Sequence, residues 1–218
     1  MDIKNVSAAL FDFDGVVMDT ESQYSVFWDA QGARYLNITD FGMLMRGMII
    51  KEVFRKFFSG RTDVHQQIMN ELNEFDKNLK FNYVVGFSNF VNDLREHGVL
   101  TGLVTSSNLR KMELVYQQFP SFKKDFDLIL TAENFTQSKP NPECYILGMQ
   151  KFNTKQHDTF VFEDSFNGLE AGMKSGAIVV GITTTNSYER IVEKAHYVIN
   201  NFAGLSFEKL KEWRANKD

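Results

Sequence analysis

The chain has 218 residues, 24 basic against 28 acidic, for a net charge of −4, and 43% of them are apolar. That length suits one ordinary domain or a domain with a modest insertion, and the apolar content can offset ordering entropy by burial, which excludes a disordered chain. A mildly acidic chain with no dense Lys/Arg run is a poor partner for nucleic acid or an anionic membrane, and a single cysteine, Cys144, offers no internal disulfide and favours a reducing compartment.

Residues 1–5 lack the basic start of a secretory signal, and the short apolar run that follows them is broken at Asp12. No apolar run approaches the roughly 18 residues that span a bilayer. A soluble, cytoplasmic monomer is expected. Five short apolar runs, at 8–13, 99–104, 128–130, 159–162 and 177–182, are rich in β-branched or aromatic residues and end in polar or Gly/Pro punctuation. Buried parallel strands read this way. Segments 108–119, 142–152 and 167–175 between the later runs carry helical spacing, and 205–213 reads as a closing amphipathic helix. Strands alternating with helices predict an α/β fold with a doubly wound, Rossmann-like parallel sheet, whose ligands sit beyond the C-terminal strand ends. The first run is followed instead by helical patterns at 21–35, 51–58 and 64–79. This predicts a small all-helical cap over residues 18–86, inserted into a core of residues 1–17 and 87–218. Helices of the main layer would show the same periodicity.

Four motifs fall at the predicted strand ends. In Phe11-Asp12-Phe13-Asp14-Gly15-Val16, two carboxylates spaced by two on an extended segment project to one side. Like charges that close require a cation or a shared proton, so one can serve as nucleophile and its neighbour as proton donor. An Asp-rich turn is the plainer alternative. Thr105-Ser106-Ser107-Asn108 places hydroxyls and free N–H groups at a helix start, which suits either a phosphate or an ordinary N-cap. Ser138-Lys139-Pro140-Asn141-Pro142 fixes one lysine between prolines, either as a counter-charge for phosphoryl oxygens or as a solvated loop lysine. Glu163-Asp164-Ser165 supplies oxygen ligands that suit magnesium better than zinc. His65, His97, His157 and His196 are scattered without ligand spacing, so a soft-metal site is not expected.

In order and placement these motifs resemble the haloacid dehalogenase superfamily of phosphohydrolases across nearly the whole chain. The early helical insertion and Asp19-Thr20-Glu21 look most like its β-phosphoglucomutase-like branch. The resemblance implies Asp12 as nucleophile, forming an aspartyl-phosphate, and Asp14 as general acid/base. It implies Thr105, Ser106 and Ser107 around the phosphate and Lys139 as counter-charge. Magnesium would be held by Asp12, the Asp14 carbonyl and Asp164, with Glu163 in a second or shared shell. Thr20, Tyr24, Arg46 and Gly47 fall at cap positions facing the substrate. The mutase keeps a histidine where Tyr24 stands and an arginine where Ile50 stands. The leading expectation is therefore a magnesium-dependent phosphatase acting on a small, sugar phosphate-like metabolite. The alternatives are a hexose-phosphate mutase, an inorganic pyrophosphatase and a catalytically silent binding protein.

Overall fold

The computed structural model describes residues 6–217. The leading segment 1–5, read above for a secretory signal, lies outside the described residues. Among the described residues, no helix is long and apolar enough to cross a membrane.

The chain opens on β1 (Ala8–Phe11) and runs at once into four helices, α1 (Glu21–Leu36), α2 (Phe41–Met45), α3 (Ile50–Phe57) and α4 (Thr62–Lys77). It then continues as α5 (Phe87–Glu96), β2 (Leu100–Val104), α6 (Leu109–Gln118), β3 (Leu128–Leu130), α7 (Glu143–Phe152), β4 (Thr159–Glu163), α8 (Phe166–Ser175), β5 (Ile178–Ile182), α9 (Tyr188–Ile191), β6 (Tyr197–Ile199) and α10 (Phe207–Ala215). All strands pair in parallel in the order β3-β2-β1-β4-β5-β6. The fold is the expected doubly wound α/β sheet, with one correction: a sixth strand, β6, closes the edge. Its three half-buried residues carry too little apolar signal to stand out in the sequence.

Alternation along the strands builds two cores. Phe11, Phe160 and Phe162 point to one face, where they pack with Phe87, Phe90 and Phe202. Phe11 stacks on Phe162 at 4.7 Å and meets Phe87 edge-on at 5.4 Å. Leu10, Val161 and Val179 point to the other face, against Tyr145 and Leu169. The inserted helices form a third cluster of their own around Phe27, Trp28, Phe41, Phe58 and Ile68.

Register then positions the chemistry. Phe11 pairs with Leu103 on one side and Phe162 on the other, so the residue after each, Asp12, Val104 and Glu163, stands at the same level at the C-terminal edge. The strand order reverses between β1 and β4, where a doubly wound sheet opens its ligand crevice.

Candidate active site

Asp12 leaves β1 with its N–H donated to the Phe162 carbonyl at 3.1 Å, and its carboxylate meets Lys139 Nζ at 2.6 Å. Lys139 is fully buried and donates also to Glu163 Oε1 at 2.6 Å and to the Val104 carbonyl at 3.3 Å. Burial opposes the ammonium charge, but Asp12 and Glu163 outweigh it and hold the Lys139 pKa above the usual lysine value. Glu163 is equally enclosed. Its oxygens accept from Tyr145 Oη at 2.6 Å, from the N–H groups of Asp164 and Ser165, and from the Ser165 hydroxyl. Gly168 leaves the room for this, since a Cβ there would stand 1.9 Å from the Glu163 carboxylate. With its oxygens so engaged, Glu163 is suited to fixing Lys139 rather than to offering a free ligand oxygen.

Asp12, Glu163 and Asp164 each bring a carboxylate oxygen to within 4.8 Å of the others. Burial pushes the Asp12 carboxyl up to about 7 against the pull of Lys139, with Glu163 adding to the push. Burial also holds Asp164 well above the usual carboxylate range, with Glu21, Glu163 and Asp12 reinforcing the effect. Asp164 Oδ2 accepts from the Thr185 hydroxyl, and the Asp164 carbonyl from Asn186 Nδ2 at 2.9 Å, whereas Asp164 Oδ1 is buried with no hydrogen-bond partner. Crowded oxygens, raised pKa values and one orphaned carboxylate oxygen are what a hard divalent cation would relieve, so the residues fit magnesium. Gly15 turns the chain beside this cluster at φ +77°, and a Cβ there would stand 2.0 Å from Asp164 Oδ2.

Asp14 takes different partners from Asp12. It accepts from the Thr20 hydroxyl, from Ser107 Oγ at 3.0 Å and, through both oxygens, from Lys111 Nζ at 2.6 Å. Thr105 is buried and lines the same cavity, its hydroxyl oxygen accepting from the Ser107 N–H at 3.0 Å. The N-cap of α6 is Asn108, which leaves the hydroxyls of Ser106 and Ser107 to other partners. Ser106 Oγ reaches across to the Gly47 carbonyl of the inserted helices at 2.8 Å.

The four inserted helices roof the cavity. Asn167 donates to the Arg46 carbonyl and Glu52 accepts from Ser138, so the roof is tied to the sheet edge at three places. Arg46 forms an ion pair with Glu21 at 2.9 Å and donates to Ser25 Oγ. Burial pushes the Glu21 carboxyl up to about 7, with Asp14 adding to the effect. Tyr24 Oη donates to Asp76 at 2.7 Å, and its ring lies 4.0 Å beneath the Lys111 ammonium.

All the site residues expected from the sequence therefore gather at one cavity or its immediate wall. Lys111, Glu21, Asp76, Tyr145 and Thr185 join them without having been anticipated. Lys111 left one trace, since it shares a stripe of α6 with the buried Met112 and Val115. A lysine four residues before a core valine reads as a stem lying along the core with its charge outside. Its carboxylate partner lies 97 positions away in the chain, beyond the reach of spacing arguments.

Comparison with known proteins agrees with this geometry. A family model described as haloacid dehalogenase-like hydrolase matches residues 9–182. The chain is 25% identical over 193 residues to a phosphorylated carbohydrates phosphatase of Thermotoga maritima, covering 78% of this chain and 82% of the relative. It is 25% identical over 227 residues to glycerol-1-phosphate phosphohydrolase 1 of Saccharomyces cerevisiae, covering 98% and 88%. In three dimensions it superposes on a β-phosphoglucomutase from Clostridium difficile with a TM-score of 0.78 at 20% identity, covering 97% and 98% of the two chains. In fold, with its helices inserted after the first strand, the chain is similar to that mutase, and it belongs to the haloacid dehalogenase-like hydrolases.

Proposed function

We propose that this enzyme is a magnesium-dependent phosphatase that hydrolyses a small phosphorylated metabolite in two in-line steps through Asp12. The observation that carries the reading is the Asp12–Lys139–Glu163 chain beside the orphaned Asp164 oxygen. It supplies a buried nucleophile, a fixed cation for phosphoryl oxygens and a place for a hard metal. In the first step an Asp12 oxygen attacks phosphorus, the ester P–O bond breaks and the departing alkoxide takes a proton from Asp14. In the second, water attacks phosphorus, gives its proton to Asp14 and releases Asp12 with inorganic phosphate. Thr105 and the Ser106 N–H, at the mouth of α6 and lining the cavity, would hold the phosphoryl group.

Asp12, Asp164 and the Asp14 carbonyl would hold the magnesium ion, which when bound neutralises the crowded carboxylates and the phosphoryl charge. Residues 18–86 act as a lid in this reading, excluding water while the acyl phosphate forms and admitting it for hydrolysis. Relatives named as phosphatases and phosphohydrolases support the reaction class.

The test is phosphate release from a panel of phosphate esters with magnesium or with excess chelator. Release that requires magnesium and disappears in Asp12→Asn is expected. Full activity in chelator, or substantial turnover by Asp12→Asn, would contradict the proposal.

A further inference from the structure

Beyond the phosphoryl position the cavity is walled by Trp28, Met45, Met48, Ile50 and Leu72, with Tyr24 beside them. The charged side chains that share this wall already meet protein partners. Arg46 faces Glu21, Asp76 receives the Tyr24 hydroxyl, and Lys111 is taken up by both oxygens of Asp14. The smaller polar groups are engaged too, Ser25 with Arg46 and with the Glu21 carbonyl, and Asn108 with the Lys111 N–H.

A ligand entering this space meets apolar surface and charges in neutral pairs. Most hydroxyls of a polyol would exchange water for a thioether, an indole or an aliphatic wall and be left unpaired. A second phosphate would meet Arg46 and Lys111 with their charges already neutralised by Glu21 and Asp14, and drawing either cation away would strand a buried carboxylate. An apolar ring or chain makes neither demand and gains by leaving water.

We propose that the enzyme selects phosphate monoesters whose organic part is an apolar ring or chain, over polyol phosphates and bisphosphates. This narrows the sugar-like expectation drawn from the sequence and rests on the phosphatase reading above. A methylene-sized change in an apolar pocket shifts specificity by roughly 10–200-fold, and an added hydroxyl by about 100-fold. Cyclohexylmethyl phosphate and glucose 6-phosphate share ring size and a primary leaving oxygen but differ in their hydroxyls, so they isolate the wall's contribution. We expect kcat/KM to favour cyclohexylmethyl phosphate by at least about tenfold, with glucose 1,6-bisphosphate the poorest of the three.

Met45→Gln keeps the side-chain length while adding an amide to the wall, and should narrow the ratio of the two monoesters. Calorimetric binding to Asp12→Asn, which cannot turn over, should give the same order of affinities. Equal or better use of glucose 6-phosphate by the wild type would overturn the substrate class and leave the phosphatase reading standing. Absence of hydrolysis for every ester, with the binding order retained, would overturn the phosphatase reading and leave the selectivity of the cavity standing.

Discussion

The two halves of the cavity are built on opposite plans. On the sheet side, Asp12, Lys139 and Glu163 form a continuous ionic chain with Asp164 beside it, each at most 9% exposed, with the charges crowded and one carboxylate oxygen unanswered. On the helical side, charges are closed off in pairs and the surface between them is apolar. The first half holds unrelieved electrostatic stress, which a metal ion and a phosphoryl group can discharge. The second also buries charge, and Glu21 is pushed up to about 7 there. Each charged group already faces a partner side chain, however, so this half chiefly shapes and desolvates what enters. The lesson is that reaction class and substrate class are written in different interactions.

The sharpest way to break this contrast is to remove the centre of the ionic chain. Lys139→Met leaves Asp12 and Glu163 facing each other in a buried site, and breaking such a pair costs about 3–5 kcal/mol. We expect phosphate release to vanish and the melting temperature to fall by roughly 6–20 °C. A variant that kept its stability would show the chain to be less enclosed than its geometry indicates.

Lys111→Met tests the boundary between the halves, because this lysine belongs to the sheet side and is roofed by Tyr24. Asp14 loses one of its three donors, and with it two of its four hydrogen bonds, but keeps its carboxyl. The loss on alkyl esters should therefore be smaller than the roughly 10²–10⁴-fold that general acid–base catalysis contributes. Nitrophenyl phosphate, whose leaving group needs little protonation, should suffer less. Equal losses on both esters would assign Lys111 to substrate binding instead of to holding Asp14.

The stress on the sheet side also predicts a pH dependence. Burial raises Asp12 to about 7 and Asp164 well above its usual range, so the metal-free fold binds protons that the unfolded chain has released. Stability of the metal-free protein should then fall as pH rises from about 4 through 7. Magnesium, which needs both carboxylates ionised, should raise the melting temperature more at pH 8 than at pH 6. The same increment at both values would remove these groups from the metal site.

The smallest effect is expected at Arg46. It is held by Glu21 in a largely buried pair rather than standing free for substrate. Arg46→Ala should therefore cost stability by leaving Glu21 unpaired, while raising KM by less than about tenfold with kcat little changed. A larger rise confined to KM would mean that the arginine touches substrate.

The sequence reveals far more of the ionic half than of the apolar half. Asp12, Asp14, Thr105 and Asp164 stand at strand ends, where short apolar runs terminate in polar residues, Lys139 lies on the loop after β3, and their order along the chain carries the resemblance to a known family. Placement in sequence and in space coincide there because a parallel sheet delivers every strand end to one edge. The helical half offers no such rule. Arg46 meets Glu21, and Tyr24 meets Asp76, through helix packing that periodicity alone does not specify. Arg46 reads from the sequence as a cap position facing the substrate, and the acid that occupies it lies on another helix. Lys111 is not legible as a partner of Asp14, because the two stand 97 positions apart and no spacing rule joins them. The edge strand β6 escaped notice for a related reason, being short and half-buried.

The claim on which the account turns is that Asp12 becomes covalently phosphorylated. Borohydride added during turnover reduces an acyl phosphate to the alcohol, converting the aspartate that carried it to homoserine, which peptide mass spectrometry can locate. The account predicts conversion at position 12, dependent on substrate and absent in Asp12→Asn. Conversion at Asp14 or Asp164 instead, or none at any position while phosphate is being released, would contradict it.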